Sequence, residues 1–213
     1  MPAVRSSVSS GLKLRTRAAT ATMLLGISHL YGLTGRFDFV GIGRELGVDM
    51  PLPAVIALLL AATGACYKLT LVPFHFYAPD VYEGAPATGL AATAAVPKMA
   101  VGAVMLRAVS AALQGPLQGQ QQGQLPGNAD LAHGLCLAAI ASLLAASVLA
   151  LVQKDGKRIL AFSGVGHAGA ILLAFAALPQ PMAMANALYY LLAYAAANTG
   201  ALLCLAAFER RGI

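Results

Sequence analysis

The apolar residues of this chain arrive in blocks of about twenty, the length an α-helix needs to cross a hydrocarbon core near 30 Å thick. Composition supports a membrane reading of those blocks. The chain is 59% hydrophobic and only 10% charged, with a mean hydropathy of +0.73, whereas a soluble domain carries about 25% charged residues. A core alone cannot account for this, because 213 residues cannot hide that much apolar surface from water. Alanine and glycine dominate the blocks, which suits close helix–helix packing where lipid supplies no hydrophobic drive. The pattern predicts an all-α, multi-span membrane protein.

Six helices are expected, at about 18–32, 53–74, 88–113, 131–152, 159–178 and 182–208. The first is short for a full span. The second begins beside Pro51 and Pro53, where a missing N–H costs nothing, and is expected to break near Pro73, because proline cannot donate and clashes with the preceding turn. Pro97 interrupts the third. Between them lie a mixed loop at 35–49, a tight polar turn at 79–86, a Gln/Gly-rich linker at 114–130, a basic turn at 153–158 and a short break at 179–181. Residues 1–17 form a basic, acid-free flank and residues 209–213 a tail. The flank fits either a transit-peptide-like leader or, as the expected reading, the cytoplasmic border of the first span or a truncated start.

The formal net charge of +6 does not point to nucleic acid, because the basic residues are scattered over ends and short loops with no aromatic-laced basic face. They read instead as topology determinants. With six spans, one side holds Arg5, Lys13, Arg15, Arg17, Lys154, Lys157, Arg158, Arg210 and Arg211, and the other Arg36 and Arg44. Both termini are then expected on the cytoplasmic or matrix side of a bacterial inner (plasma) or mitochondrial inner membrane. Cys66, Cys136 and Cys204 have no paired spacing and read as small packing residues. No disulfide, metal site or iron–sulfur ligand set is expected.

Two lysines stand out. Placing an ammonium at the bilayer centre costs roughly 2.5–3.5 kcal/mol, and Lys68 and Lys98 both lie inside apolar blocks. Broken backbone is tolerated in a membrane only where protein buries it or it lines a wet cavity, and Lys68 precedes the Pro73 break while His75 follows it. Two readings fit Lys68: a proton relay shared with the neighbouring imidazole, or a side chain snorkelling to the interface. Lys98 lies about ten residues inside its helix, a depth from which snorkelling is difficult, and it reads as functional. His167, in Ser163-Gly164-Val165-Gly166-His167-Ala168-Gly169, fits either a buried structural histidine or a relay element. Asp80 and Glu83 either cap the third helix or pair with basic groups of a partner, and capping is the expected use. Arg107 is expected to snorkel, and His29 and His133 receive no role.

These residues also resemble a family. Tyr67-Lys68-Leu69 through Val72-Pro73-Phe74-His75, then Pro79-Asp80-Val81-Tyr82-Glu83-Gly84-Ala85-Pro86 and Pro97-Lys98, resemble the N subunit of proton-pumping NADH–quinone oxidoreductase (respiratory complex I; subunit 2 in mitochondria). Lys154-Asp155-Gly156-Lys157-Arg158-Ile159-Leu160-Ala161-Phe162-Ser163, with His167, resembles the family's loop and following helix, and Leu30-Tyr31-Gly32-Leu33-Thr34-Gly35 the end of an earlier one. The resemblance covers about 20–208 and falls on the middle six helices of the family. It implies a partial antiporter-like fold and a membrane subunit taking part in proton translocation coupled to electron transfer from NADH to quinone. Lys68 and Lys98 fall on the lysines of the family's membrane-parallel charged chain, and His167 on a family histidine; His75 is a secondary candidate by position.

The resemblance further implies that NADH, FMN, iron–sulfur clusters and quinone belong to the rest of the complex, with no redox centre in this chain. Its partners would be the lipid bilayer, other membrane subunits of complex I, and a chain supplying the helices it lacks, among them the helix bearing the family's glutamate. The alternative readings are a non-catalytic scaffold or gene fragment of that subunit, and a cation/proton antiporter subunit. The turn at 79–86 argues against the last.

Overall fold

In the computed structural model, residues 2–46, 51–114, 126–177 and 182–211 are described. They form eight α-helices and no strand: α1 Pro2–Thr34, α2 Phe39–Leu46, α3 Leu52–Leu69, α4 Tyr77–Gly84, α5 Ala87–Gln114, α6 Pro126–Leu151, α7 Gly156–Ala176 and α8 Ala183–Arg211, with a 3-10 turn at Phe74–Phe76. The chain divides into two compact units, Met1–Tyr67 and Lys68–Ile213.

Five helical stretches among the described residues are long and apolar enough to cross a membrane: Leu52–Gly84, Ala87–Ser110, Ala132–Leu151, Gly156–Ala176 and Ala183–Arg211. The first helix, expected as a sixth span, is not among them, since Arg15, Arg17, His29 and several threonines dilute its apolar stretch. The basic flank expected at 1–17 is helical from Pro2 and continuous with that block. Part of the expected loop at 35–49 folds as α2.

In the first unit, α1 meets α3 through glycines. A Cβ at Gly26 would run into the backbone of Ala57 and Ala61, and one at Gly64 into Met23, so only hydrogen lets the two helices approach this closely. Leu30, Leu46, Ala54 and Ala57 close the small core.

The break after α3 is organised by chemistry readable in the sequence. Pro73 excludes the helical carbonyl four residues earlier, and Leu69 is the last residue of α3. Thr70 leaves the helix at φ 61°. The amide this exposes at Val72 donates to Ser142 Oγ at 3.2 Å, and Phe74 N–H donates to Leu71 C=O at 2.7 Å. Ser142 is fully buried, so helix α6 satisfies backbone that lipid could not.

The segment 79–86, expected as a tight turn, is mostly helix α4. Pro79 lies in its first turn, where proline costs no hydrogen bond, and only Ala85 and Pro86 are left to connect to α5. Pro97, expected to interrupt the next helix, lies exposed inside an unbroken α5. Helix α6 begins at Pro126, inside the expected linker at 114–130; the rest of that linker from 115 to 125, and the expected break at 179–181, lie outside the described residues.

Helix α7 is the centre of the second unit. Half of its span is buried, against 17% for α6. It packs along α6 and contacts α4, α5 and α8, while α5 runs along α8. Phe162, Val165, Ile171, Leu172 and Phe175 fill the surrounding core. Leu137, Leu144, Val148, Leu192 and Leu203 instead face outward, the arrangement for a surface bathed in lipid tails rather than water.

Candidate functional site

Lys98 is 6% exposed and is held by α7 and α8. Its Nζ donates to Gly164 C=O at 3.1 Å and lies 5.6 Å from the centroid of the Tyr194 ring, within reach of a cation–π contact. No carboxylate pairs with it among the described residues. Removing an ammonium from water without a counter-ion is expensive, and here only dipoles and a ring face offset that cost.

Glycine at position 164 makes the contact possible. A methyl there would sit 2.9 Å from Lys98 Nζ, 3.2 Å from Tyr194 Oη and 3.9 Å from Tyr82 Oη. Three polar groups from α4, α5 and α8 therefore converge on one point of the α7 backbone. The Tyr82 and Tyr194 hydroxyls and Asn198 Nδ2 are buried without a hydrogen-bond partner, a condition rare enough in folded proteins to call for a reason.

His167 lies one turn beyond Gly164 on α7. Its ring is 5.0 Å from that of Tyr194, and its Nδ1 shares a 2.8 Å hydrogen bond with Tyr190 Oη. Tyr194 thus stands between Lys98 and His167. Lys98 and His167, nearly seventy positions apart in the chain, belong to one site; Lys68 and His75 are not joined to it by a hydrogen bond, ion pair or ring contact.

Lys68 is half-buried, with no hydrogen bond or ion pair among the described residues. His75 is 4% exposed, packs its ring 4.1 Å from that of Phe76, and has both ring nitrogens unpartnered. Arg107 is exposed. Among the described residues no group of three or more His, Cys, Asp or Glu side chains gathers as a metal site would require.

Tyr82, Tyr190, Tyr194 and Asn198 were not singled out from the sequence. A signal existed for three of them: 190, 194 and 198 are spaced four apart, which sets them on one helix face. Tyr82 carried no such signal, because its segment read as a turn.

The acids of that segment have a different use from the one expected. Asp80 and Glu83 do not cap α5. Asp80 Oδ1 accepts from Arg158 Nη2 at 3.1 Å and Glu83 Oε2 from Arg158 Nε at 2.8 Å. The α5 amide at Ala87 is satisfied by Glu209 Oε2 at 3.2 Å. Glu209, expected in a tail, lies within α8 and pairs with Lys157, whose Nζ also donates to Ala85 C=O at 3.1 Å. Asp155 caps α7 by accepting from Lys157 N–H at 2.9 Å.

A membrane bundle with a broken helix and a buried lysine fits an antiporter-like subunit, and the comparisons agree. Residues 3–212 match the family described as NADH:quinone oxidoreductase/Mrp antiporter, TM, and the chain belongs to that family. Among individual relatives, NADH-quinone oxidoreductase subunit N of Geobacillus kaustophilus is 41% identical over 195 residues, covering 88% of this chain and 38% of that protein. Subunit N 2 of Opitutus terrae is 39% identical over 178 residues, covering 83% and 34%. Over the matched residues the chain is subunit N-like, and it spans between about a third and two-fifths of the length of these relatives.

Two solved structures share the fold. The Mrp complex from Dietzia sp. DQ12-45-1b superposes with a TM-score of 0.79 at 18% identity, over 97% of this chain and 35% of that one. The membrane-bound sulfane sulfur reductase, an archaeal respiratory membrane complex, does so with 0.74 at 22%, over 91% and 38%.

Proposed function

We propose that this chain is a membrane segment of the N subunit of a proton-translocating NADH–quinone oxidoreductase, and that Lys98 holds a proton on the path. The observation that carries this reading is the Lys98 site: a buried ammonium bound to a backbone carbonyl with no carboxylate paired to it among the described residues. Such a proton can leave without breaking an ion pair. His167, against the same tyrosine, is the next station. Lys68 and His75, on either side of the α3 break, are secondary stations.

On this reading the chain carries no redox centre, and NADH, FMN, iron–sulfur clusters and quinone are bound by other subunits. The partners are other membrane subunits of the complex, including the helices that complete the subunit. The membrane is the bacterial inner (plasma) membrane, or the mitochondrial inner membrane in a eukaryote. The basic turn at 153–158 and the Arg210-Arg211 end favour the cytoplasm or matrix for that side, and the Lys157–Glu209 pair supports a common side for both. The basic residues of 1–17 favour the same side for the N-terminus, a topology that needs α1 to cross as a sixth span although it is less apolar than the other five.

The test is Lys98→Ala in the assembled complex, with protons translocated per NADH oxidised as the readout. Pumping is expected to fall by about tenfold or more, in line with loss of a positioned proton donor, with assembly intact. Undiminished pumping would remove Lys98 from the path.

A further inference from the structure

The Lys98 site contains more polar groups than a lysine and a histidine need. Tyr194 is 4% exposed and Tyr82 6%, their hydroxyls have no partner, and both lie close to the point where a Gly164 side chain would begin. Asn198, one turn beyond Tyr194 on α8, interacts through its side chain with Tyr82 and leaves its Nδ2 without a hydrogen-bond partner. A phenol kept only for packing would be served as well by phenylalanine, without the cost of a buried hydroxyl.

We propose that the Tyr194 hydroxyl carries the proton between Lys98 and His167, across a water cradle formed with Tyr82 and Asn198 over Gly164. The inference rests on the Lys98 reading above and adds a residue to it. A water beside that point, in contact with Gly164 rather than at its Cβ position, would meet the Lys98 ammonium and the hydroxyls of Tyr194 and Tyr82, within the two to four partners a buried water takes. The transfer balances. Lys98 gives one proton through the bridging water to the Tyr194 oxygen as the Tyr194 hydroxyl, which has no direct partner, passes its own proton through water to Nε2 of His167 in the Nδ1–H tautomer. Lys98 ends as a neutral amine, the phenol is restored, and the imidazole becomes imidazolium with its Nδ1 on Tyr190. The glycine backbone keeps the cradle open.

The decisive variant is Tyr194→Phe, which removes the hydroxyl and keeps the ring. In the assembled complex, protons translocated per NADH oxidised are expected to fall about tenfold. A second measurement places fluorotyrosine, a more acidic phenol, at position 194. The titratable groups facing it are Lys98 on α5, His167 on α7, Tyr190 on α8 and Tyr82 on α4. The pH profile of pumping is expected to move to lower pH, a shift that a purely structural role would not produce.

Wild-type pumping in Tyr194→Phe alongside lost pumping in Lys98→Ala overturns the tyrosine step and leaves the lysine in place. Wild-type pumping in both overturns both. If Tyr194→Phe fails to assemble, the fluorotyrosine protein decides: an unshifted profile overturns the proposal.

Discussion

Lys98 and Arg158 are both cations of the second unit, and their surroundings differ at every point. Lys98 is 6% exposed and touches only dipoles and a ring. The Arg158 side chain is 36% exposed and meets two carboxylates, themselves 51% and 54% exposed. At the bundle surface, charges are paired, screened and individually worth little. In the interior, one charge stands without an opposite and bears the full desolvation cost. An unpaired interior charge is the poorer choice for stability and the better one for moving a proton, because leaving does not break an ion pair.

The contrast predicts that stability and pumping respond in opposite ways at the two places. The largest effect on pumping is expected at Lys98. Lys98→Met, close in volume and without charge, should lose about tenfold or more of proton translocation while melting in detergent no lower than the wild type, since replacing an uncompensated buried charge with an apolar side chain is neutral or favourable. A lower melting temperature would show that Lys98 stabilises the fold. Gly164→Ala comes next. Its methyl would press on Nζ from 2.9 Å, so overpacking of about 1–3 kcal/mol should appear together with a several-fold loss of pumping. Tyr190→Phe removes one hydrogen bond from His167 and should lower pumping by roughly a few-fold, the scale of about 1 kcal/mol. Arg158→Ala should do the reverse of Lys98→Met: a loss of about 0.5–1 kcal/mol in stability, diminished further by salt, with pumping close to wild type. A collapse of pumping there would mean that the ion pairs joining α4 to α7 govern the path.

Much of this site was legible residue by residue. Lys98 was conspicuous because a charge amid apolar neighbours is costly wherever the helix sits. The break was visible because proline acts locally, on the carbonyl four residues back. Other features were not. The 79–86 segment read as a turn because proline, aspartate and glycine are turn residues, yet Pro79 lies in a first helical turn, where it does no harm. Asp80 and Glu83 looked like caps because their partner, Arg158, is more than seventy positions away. Glu209 looked like part of a tail, and its bonds to Lys157 and to the Ala87 amide exist only once α8 and the start of α5 lie side by side.

What the sequence determined by itself is what depends on short range or on solvent: membrane-length helices, a break before Pro73, and a lysine whose burial demanded a reason. What the tertiary structure alone decided is company. Tyr82, Lys98, Gly164, His167 and Tyr194 belong to α4, α5, α7 and α8, and hydrogen bonds and ring contacts act over a few ångströms whatever the distance along the chain. Packing of α5 and α8 around α7 makes one site of them. Lys68, with the same charge and nearly the same setting in sequence, was left out of it.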